Sequence, residues 1–329
     1  MKLLKLFLIC ISVTGVYAQQ DPVIAVAPDK MNVFYIGVEN PVTIAAAGIP
    51  AKDIIVEMSG SSEKIEKKRD GQYVVKCSQP GYTRITIYTE KNGKKEKLGD
   101  KKFRVKQIPD PVVKAAGQRG GYIKKEDLLN AGGVFAEIEN CPFDIAIEVV
   151  DFTVSATHKG FVSDARTRGS KFTDAQIGLI KRVFPGEKVY IEMVKVVLPD
   201  GRTLNAHTIS FIISGPVPGI AGKTEYRQSI EIDTLLKYGR LDIYLIGTRD
   251  GCYFRTPKAK GYQVTSFTMT TNTGKKEYKA SAGSAEFTEE MKRIIKKVDA
   301  GQEITFMDVM VKDENGKEME LRSLTLVLK

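Results

Sequence analysis

Apolar and polar residues alternate in many short segments along this chain. Residues 189–196 and 304–311 show the pattern clearly, and each predicts a strand with one apolar face. Asp-Gly at 200–201 and Asn-Gly at 315–316 follow at matching positions, and both pairs suit type I′ hairpin turns, whose two central residues need positive φ. The pattern therefore predicts a mainly β protein built from antiparallel strands.

Two segments have helical rather than strand spacing. Thr173 is an N-cap for a helix over residues 174–183, and Gln176 is its reciprocal partner in a capping box. Thr288 caps a second helix over residues 289–298, whose two leading acidic residues lie at the positive end of the helix dipole. The sequence predicts one short helix in each of these two regions.

The two regions that contain these helices are copies of one another. Phe152 corresponds to Phe267, and the residues that follow match at the same offset of 115 positions. Upstream, Leu128 corresponds to Leu235 at an offset of 107, so the second copy carries eight extra residues. We expect them in the loop around residues 249–261. A duplicated unit of this length predicts domains in series rather than a solenoid, whose repeats are shorter.

Proline-rich segments at residues 108–111 and 214–222 divide the chain, because proline stiffens a segment and cannot donate to a strand ladder. The predicted domains are an all-β, Ig-like sandwich at residues 19–108, a first copy with its linkers at 109–222, and a second copy at 223–329. The fold class is mainly β: a β-sandwich domain followed by two homologous β-rich domains, each with one short α-helix.

Residues 1–18 have the pattern of an export signal. Lys2 and Lys5 precede a short apolar run, and small residues lead to a predicted cleavage between Ala18 and Gln19. A retained anchor is the alternative. No later apolar run is long enough to span a bilayer, so we expect an exported protein in the periplasm, either free or associated with the outer membrane.

The composition includes few of the residue types that commonly serve in catalysis or metal binding. The chain has 50 Lys and Arg against 40 Asp and Glu, a net charge of +10, with two His, four Cys and no Trp. After signal cleavage three cysteines remain, Cys77, Cys141 and Cys252. They allow at most one internal disulfide, and their spacing fits neither a redox pair nor a zinc site. His158 and His207 have no histidine counterpart in the other copy. We therefore predict no enzymatic activity, no cofactor and no metal site.

Six lysines surround the predicted Asn-Gly hairpin at residues 92–93: Lys91, Lys94, Lys95, Lys97, Lys101 and Lys102. They are the candidate partner-contact residues, because such a cluster attracts an acidic partner or an anionic lipid surface. The alternative is a solvated hairpin whose lysines protect an edge strand. Nucleic acid is not an expected partner of an exported protein.

Three segments resemble the C-terminal periplasmic part of the GldM family, also called PorM, which serves gliding motility and type IX secretion in Bacteroidetes: residues 31–42 (MNVFYIGVENPV), 103–111 (FRVKQIPDP) and 128–133 (LLNAGG). The resemblance covers residues 22–214 and follows the family's order of an all-β domain, an Ile-Pro-Asp-Pro linker and a terminal β-rich domain. Residues 223–329 are then an extra copy of the terminal domain, which the usual family layout lacks.

The resemblance implies a contact role near the outer membrane. In the family, the terminal domains reach the lipoprotein ring of GldK and GldN, whereas an N-terminal membrane helix joins GldL in a proton-driven motor. A predicted signal peptide stands in place of that helix, so we expect no motor role. The sequence predicts an exported, non-enzymatic scaffold with envelope proteins as partners. The alternative is a periplasmic or surface carbohydrate-binding module or enzyme, and the oligomeric state stays open.

Overall fold

The computed structural model describes residues 23–28, 32–60, 62–91, 93–141, 145–249, 252–256, 259–274 and 276–329. The predicted signal segment lies outside the described residues. Most described residues are in strands, so the mainly β fold class is confirmed. The chain divides into two compact units, the first ending at Ile108 and the second beginning at Pro109, within the first proline-rich segment.

The first unit is a β-sandwich whose strands pair antiparallel, except that β2 runs parallel to β8. Its strands are β1 (Ile24–Pro28), β2 (Val33–Tyr35), β3 (Asn40–Ala46), β4 (Ile54–Gly60), β5 (Ser62–Arg69), β6 (Gln72–Cys77), β7 (Gly81–Lys91) and β8 (Lys94–Lys106). They form two sheets in the orders β1-β3-β6-β5 and β2-β8-β7-β4. The apolar faces meet in one core, where the Phe34 and Phe103 rings stack with centroids 4.6 Å apart.

The second unit contains both copies. The first copy comprises β9 (Val112–Lys114), β10 (Gly121–Ile123), α1 (Lys125–Asn130), β11 (Phe135–Glu137), β12 (Glu148–His158), β13 (Phe161–Arg168), α2 (Asp174–Arg182), β14 (Lys188–Val197), β15 (Thr203–Asn205) and β16 (Ile209–Ile213). The second comprises β17 (Gly215–Gly219), β18 (Gln228–Ile230), α3 (Ile232–Tyr238), β19 (Asp242–Arg249), β20 (Cys252–Thr256), β21 (Gln263–Thr273), β22 (Lys276–Ala282), α4 (Glu289–Ile295), β23 (Glu303–Lys312), β24 (Glu318–Leu321) and β25 (Leu324–Leu328).

The main sheets of the two copies repeat the same strand order. One runs β10-β16-β14-β12-β13 and the other β18-β25-β23-β21-β22. The register shifts occur at corresponding places in β12 and β21, and the opposing strands each hold one non-glycine residue at positive φ, Met193 at 52° and Asp308 at 51°. These residues are 115 positions apart, so the internal duplication extends to the β-bulges of the sheet.

The predicted helices form, with ends that differ from those predicted. The capping box is present in α2, since the Gln176 N–H donates to Thr173 Oγ1 at 3.4 Å and the Thr173 N–H to Gln176 Oε1 at 3.1 Å. The helix ends at Arg182, and α4 ends at Ile295, one and three residues before the predicted ends. Each copy also has a second helix, α1 or α3, that the sequence did not predict, because neither has a side-chain N-cap and both are too short for periodicity.

Two segments expected to be irregular are strands. The proline-rich residues 214–222 include β17, which pairs with β19 at the edge of a three-stranded sheet, where proline is tolerated because one side of the strand needs no donor. Residues 249–261, where we expected a loop, include β20, which pairs with β19 as a hairpin. In the first copy, the two-stranded sheet β11-β9 has no equivalent of β20 among the residues that the structure describes. Much of the insertion in the second copy is therefore an added strand.

Candidate partner-binding surfaces

The predicted lysine cluster lies on the β7–β8 hairpin, but its members point in different directions. Three share the outer face of the sheet: Lys95, Lys97 and Lys102. Lys101 points to the other face, where its Nζ donates to the Val26 carbonyl oxygen of β1 at 2.9 Å. Lys91 and Lys94 oppose each other at the exposed end of the ladder. The structure therefore divides the six lysines among three places.

Two tyrosine rings of β7 lie under the lysines of β8. Lys95 Nζ is 4.1 Å from the centroid of the Tyr88 ring, and Lys102 Nζ is 3.9 Å from that of Tyr82. Such contacts are attractive because an ammonium group interacts with the negative face of an aromatic ring. Sequence reasoning missed these pairs, since they form across strands. The signal was present in the alternation of β7, which places Tyr82 and Tyr88 on one face.

Acidic side chains neutralise part of this face. Lys97 and Arg84 both bind the carboxylate of Asp100, and the hydrogen bond from Lys97 is the main cause that lowers the Asp100 pKa. Lys95 binds Glu57 and likewise lowers its pKa. Along residues 94–103, no described strand forms ladder hydrogen bonds with the second side of β8, because β2 pairs only with its last three residues. This geometry favours lysines that guard an open edge.

A second open edge is β13, the last strand of the first copy's main sheet. It is eight residues long and pairs with β12 through a two-residue turn, where Lys159 and Gly160 both have positive φ, as in a type I′ turn. Phe161 and Val162 begin the strand with 78% and 69% of their surfaces exposed. The type I′ turn places the N–H groups of Phe161 and every second residue toward β12, so those of Val162 and Asp164 face the open side.

The corresponding edge of the second copy, β22, is protected differently. It begins with Lys276 and Glu277 and also carries Lys279, whereas β13 contains no lysine. Lys279 occupies the position of Asp164, 115 residues earlier, so the two edges match in geometry and differ in chemistry. β13 also carries three charged side chains, Asp164, Arg166 and Arg168, so the amount of charge does not separate the two edges. The difference lies at the start of the strand, where the exposed Phe161 and Val162 of β13 correspond to Lys276 and Glu277 of β22. Because charged residues there discourage strand addition, β13 is the better suited of the two edges to receive another strand.

The two copies contact each other through unlike faces. Tyr122 and Ile212 of the first copy pack against three buried residues of the second: Val217, Tyr244 and Ile246. Tyr253, on the added strand β20, lies against Tyr122 with ring centroids 5.0 Å apart, and burial raises the Tyr122 pKa to about 12. The insertion that distinguishes the second copy therefore contributes to the junction between the copies.

Charged side chains complete this junction. The Arg322 guanidinium donates to the Thr224 carbonyl oxygen and packs against Gly186, while Lys159 and Glu320 form an ion pair of 2.6 Å. Glu187 accepts the backbone N–H groups of Phe184 at 2.8 Å and Lys159 at 3.0 Å.

Glu187 should make the stability of the second unit depend on pH. Burial raises its pKa above 4.5, and the two N–H groups offset this only in part. Because the folded-state pKa is raised, its stabilising contribution is fully present below pH 4.5 and is lost as the pH rises through the folded-state pKa. We expect Glu187→Gln to make the free energy of unfolding fall less steeply above pH 4.5.

Urea unfolding at several pH values measures this difference, with segment-resolved hydrogen exchange to follow the second unit. Gln302 occupies the corresponding position of the second copy and accepts the Asp299 N–H at 3.3 Å, so glutamine fits such a site. Identical pH slopes for the parent and variant chains would refute the assignment.

The described residues hold no cluster of metal-ligating side chains. Within them, no three His, Cys, Asp or Glu side chains come together in a way that would hold a metal ion. His158 ends β12, with Nδ1 4.0 Å from Glu187, whereas His207 is exposed between β15 and β16. None of the helices in the described ranges has the length and apolarity needed to cross a membrane.

Comparison with protein families gives two matches along the chain. A model described as the GldM third domain matches residues 23–106, and one described as the GldM C-terminal domain matches residues 109–214. Together they cover more than half of the chain and confirm the family resemblance that the sequence motifs predicted. No curated protein matches the chain at a significant level.

Among solved structures the similarities are weak. The chain is 9% identical to invasin, a bacterial integrin-binding protein, with a TM-score of 0.23, and the match covers 93% of this chain and 60% of that one. Sidekick-1 immunoglobulin domains 1–4 give 11% identity, a TM-score of 0.16 and coverage of 94% and 76%. Latent PorU from Porphyromonas gingivalis gives 9% identity, a TM-score of 0.15 and coverage of 90% and 32%.

Proposed function

Because this chain belongs to the GldM family, whose domains are components of the gliding-motility and type IX secretion machinery, we propose that it is an exported, non-enzymatic scaffold that docks to envelope proteins. Its place of action is the periplasm, and its partners include ring components of the GldK and GldN type. Docking occurs through the surfaces of the β domains, with β13 as the principal contact.

The open edge of β13 is the observation that carries this proposal. It lies within the matched C-terminal domain, offers unpaired backbone groups on one side, and begins with two exposed apolar residues. An extended segment of a partner can add to such an edge, where main-chain hydrogen bonds supply affinity and side chains supply specificity. The lysine face of β7 and β8 supplies a secondary electrostatic contact, weakened by its internal acidic partners.

Asp164→Pro should weaken binding of GldK–GldN ring components at least tenfold. Proline removes the outward-facing N–H while leaving the bonds between β13 and β12 in place, since proline is tolerated at the edge of a sheet. Asp164→Ser keeps that N–H and should bind like the parent chain. Lys279→Pro, at the matched position of β22, should also leave binding unchanged. Biolayer interferometry with the chain from residue 19 measures all four affinities.

Hydrogen exchange of the same chains in solution shows where the ring components bind. Adding the ring components should slow exchange of the β13 amides in the parent chain and leave those of β22 unchanged. Equal affinity of the Asp164→Pro and parent chains, or binding without protection of β13, would overturn edge docking.

A further inference from the structure

A cleft of about 840 Å³ lies at the junction of the two copies. Its volume falls in the range of ligand sites. The first copy lines one side with α1, the end of α2 and the residues that precede β14. The second copy lines the other side with β19, β20 and β24. The matched family domains end at residue 214, so one side of this cleft is built by the part of the chain that follows them.

Cations line the cleft without carboxylate partners. Five of them make no ion pair within 4 Å among the described residues: Lys124, Lys125, Lys181, Arg182 and Lys317. Lys125 is half-buried, and its Nζ donates only to the Lys181 carbonyl oxygen, at 3.0 Å. The unpaired set leaves capacity for added negative charge.

The residues between the cations indicate which other groups the ligand should carry. Ile213, Phe184 and Tyr122 of the first copy face Ile246 and other residues of the second, among them Phe254, Met319 and Leu321. In the same lining, His158 has a buried Nδ1 without a hydrogen-bond partner among the described residues. That atom is closed to solvent and faces the Glu187 carboxylate at 4.0 Å, so the cations and the apolar lining are the groups that a ligand can contact.

We propose that this cleft binds an extended peptide segment in which carboxylate side chains alternate with apolar ones. The acidic residues that also line the cleft, Glu126, Asp127 and Glu320, would repel a ligand of dense negative charge such as a lipid phosphate surface. A peptide with spaced carboxylates avoids them and reaches the cations. This site is separate from the β13 edge and does not depend on edge docking.

Selection from a randomised phage-displayed peptide library tests the proposal, with the chain from residue 19 as bait. Selected sequences should be enriched in Asp and Glu next to apolar residues, and fluorescence anisotropy should show saturable binding. Lys181→Gln/Arg182→Gln should weaken that binding at least tenfold, because it removes two cations that would bind the peptide carboxylates. Both side chains are exposed, so we expect the variant to fold like the parent chain. Lys296→Gln/Lys297→Gln, the matched pair after α4, removes the same charge elsewhere and should bind like the parent chain.

Three results would overturn the assignment. One is a selection without acidic and apolar enrichment. Another is equal weakening by the two double variants, which would reduce the effect to net charge. The third is that the chain binds phosphatidylglycerol vesicles but no peptides, and that Lys181→Gln/Arg182→Gln abolishes the vesicle binding. That result would assign the cleft to lipid. Because Asp164→Pro leaves the cleft intact, failure of edge docking and failure of this site are distinguishable.

Discussion

Asn40→Ala should lower the free energy of unfolding of the first unit by about 3 kcal/mol, because it removes four hydrogen bonds between a buried side chain and the backbone. Asn40 is 1% exposed. Its Oδ1 accepts the Tyr35 N–H at 2.8 Å, and its Nδ2 donates to the carbonyl oxygens of Tyr35 at 2.9 Å and of Val38 and Val75 at 3.1 Å. One side chain therefore closes the 35–40 turn and ties it to β6.

Urea unfolding of the full chain, followed by hydrogen exchange mass spectrometry, measures this loss separately for the first unit. Asn32→Ala is the control, since Asn32 is exposed and its replacement should change stability by less than about 0.5 kcal/mol. A loss below about 1 kcal/mol for Asn40→Ala would show that water replaces the amide and that the side chain does not organise the turn.

Gly186→Ala should destabilise the junction of the two copies by about 2–4 kcal/mol, since it combines backbone strain with overpacking. The residue has φ +83°, and an added Cβ would lie 2.5 Å from Arg322 Nε and 3.0 Å from Val217 Cγ1. Both contacts come from the second copy. The substitution should therefore increase exchange in β10 and β17 and their surroundings more than in the centre of either main sheet.

Gly301→Ala is a matched control for that experiment. Gly301 occupies the same position in the second copy, has φ +87°, and has nothing within 4 Å of an added Cβ. It carries the strain of positive φ without the clash and should cost about 1–2 kcal/mol. Equal losses of unfolding free energy for the two variants would show that the Arg322 side chain moves away from the added Cβ without cost. Only the backbone conformation would then matter.

The sequence predicted the elements whose signals are local. The Thr173 capping box and the strand alternation of residues 189–196 each depend on neighbours a few positions away, and both are present in the structure. The helices α1 and α3 escaped prediction because six or seven residues without a side-chain cap give no periodic signal. The segment at residues 214–222 was misread because proline favours both spacers and edge strands.

The candidate surfaces were less predictable because they depend on contacts between distant residues. The lysine hairpin was visible as a cluster, but the ion pairs of Asp100 with Arg84 and of Lys95 with Glu57 depend on the pairing of β8 with β7 and of β7 with β4. The junction joins Gly186 to Arg322, and no local pattern reports such a contact. Internal homology indicated the extra domain and its eight-residue insertion, but not where that insertion packs.

The proposal that this GldM-family chain is a docking scaffold of the envelope is tested most directly by affinity purification from Bacteroidetes envelope extracts, with mass spectrometry. The chain from residue 19 and its Lys279→Pro variant should both recover ring components of the GldK and GldN type, and the Asp164→Pro variant should recover far less of them. Recovery of a glycan or an unrelated envelope protein in their place, by all three chains alike, would contradict the account.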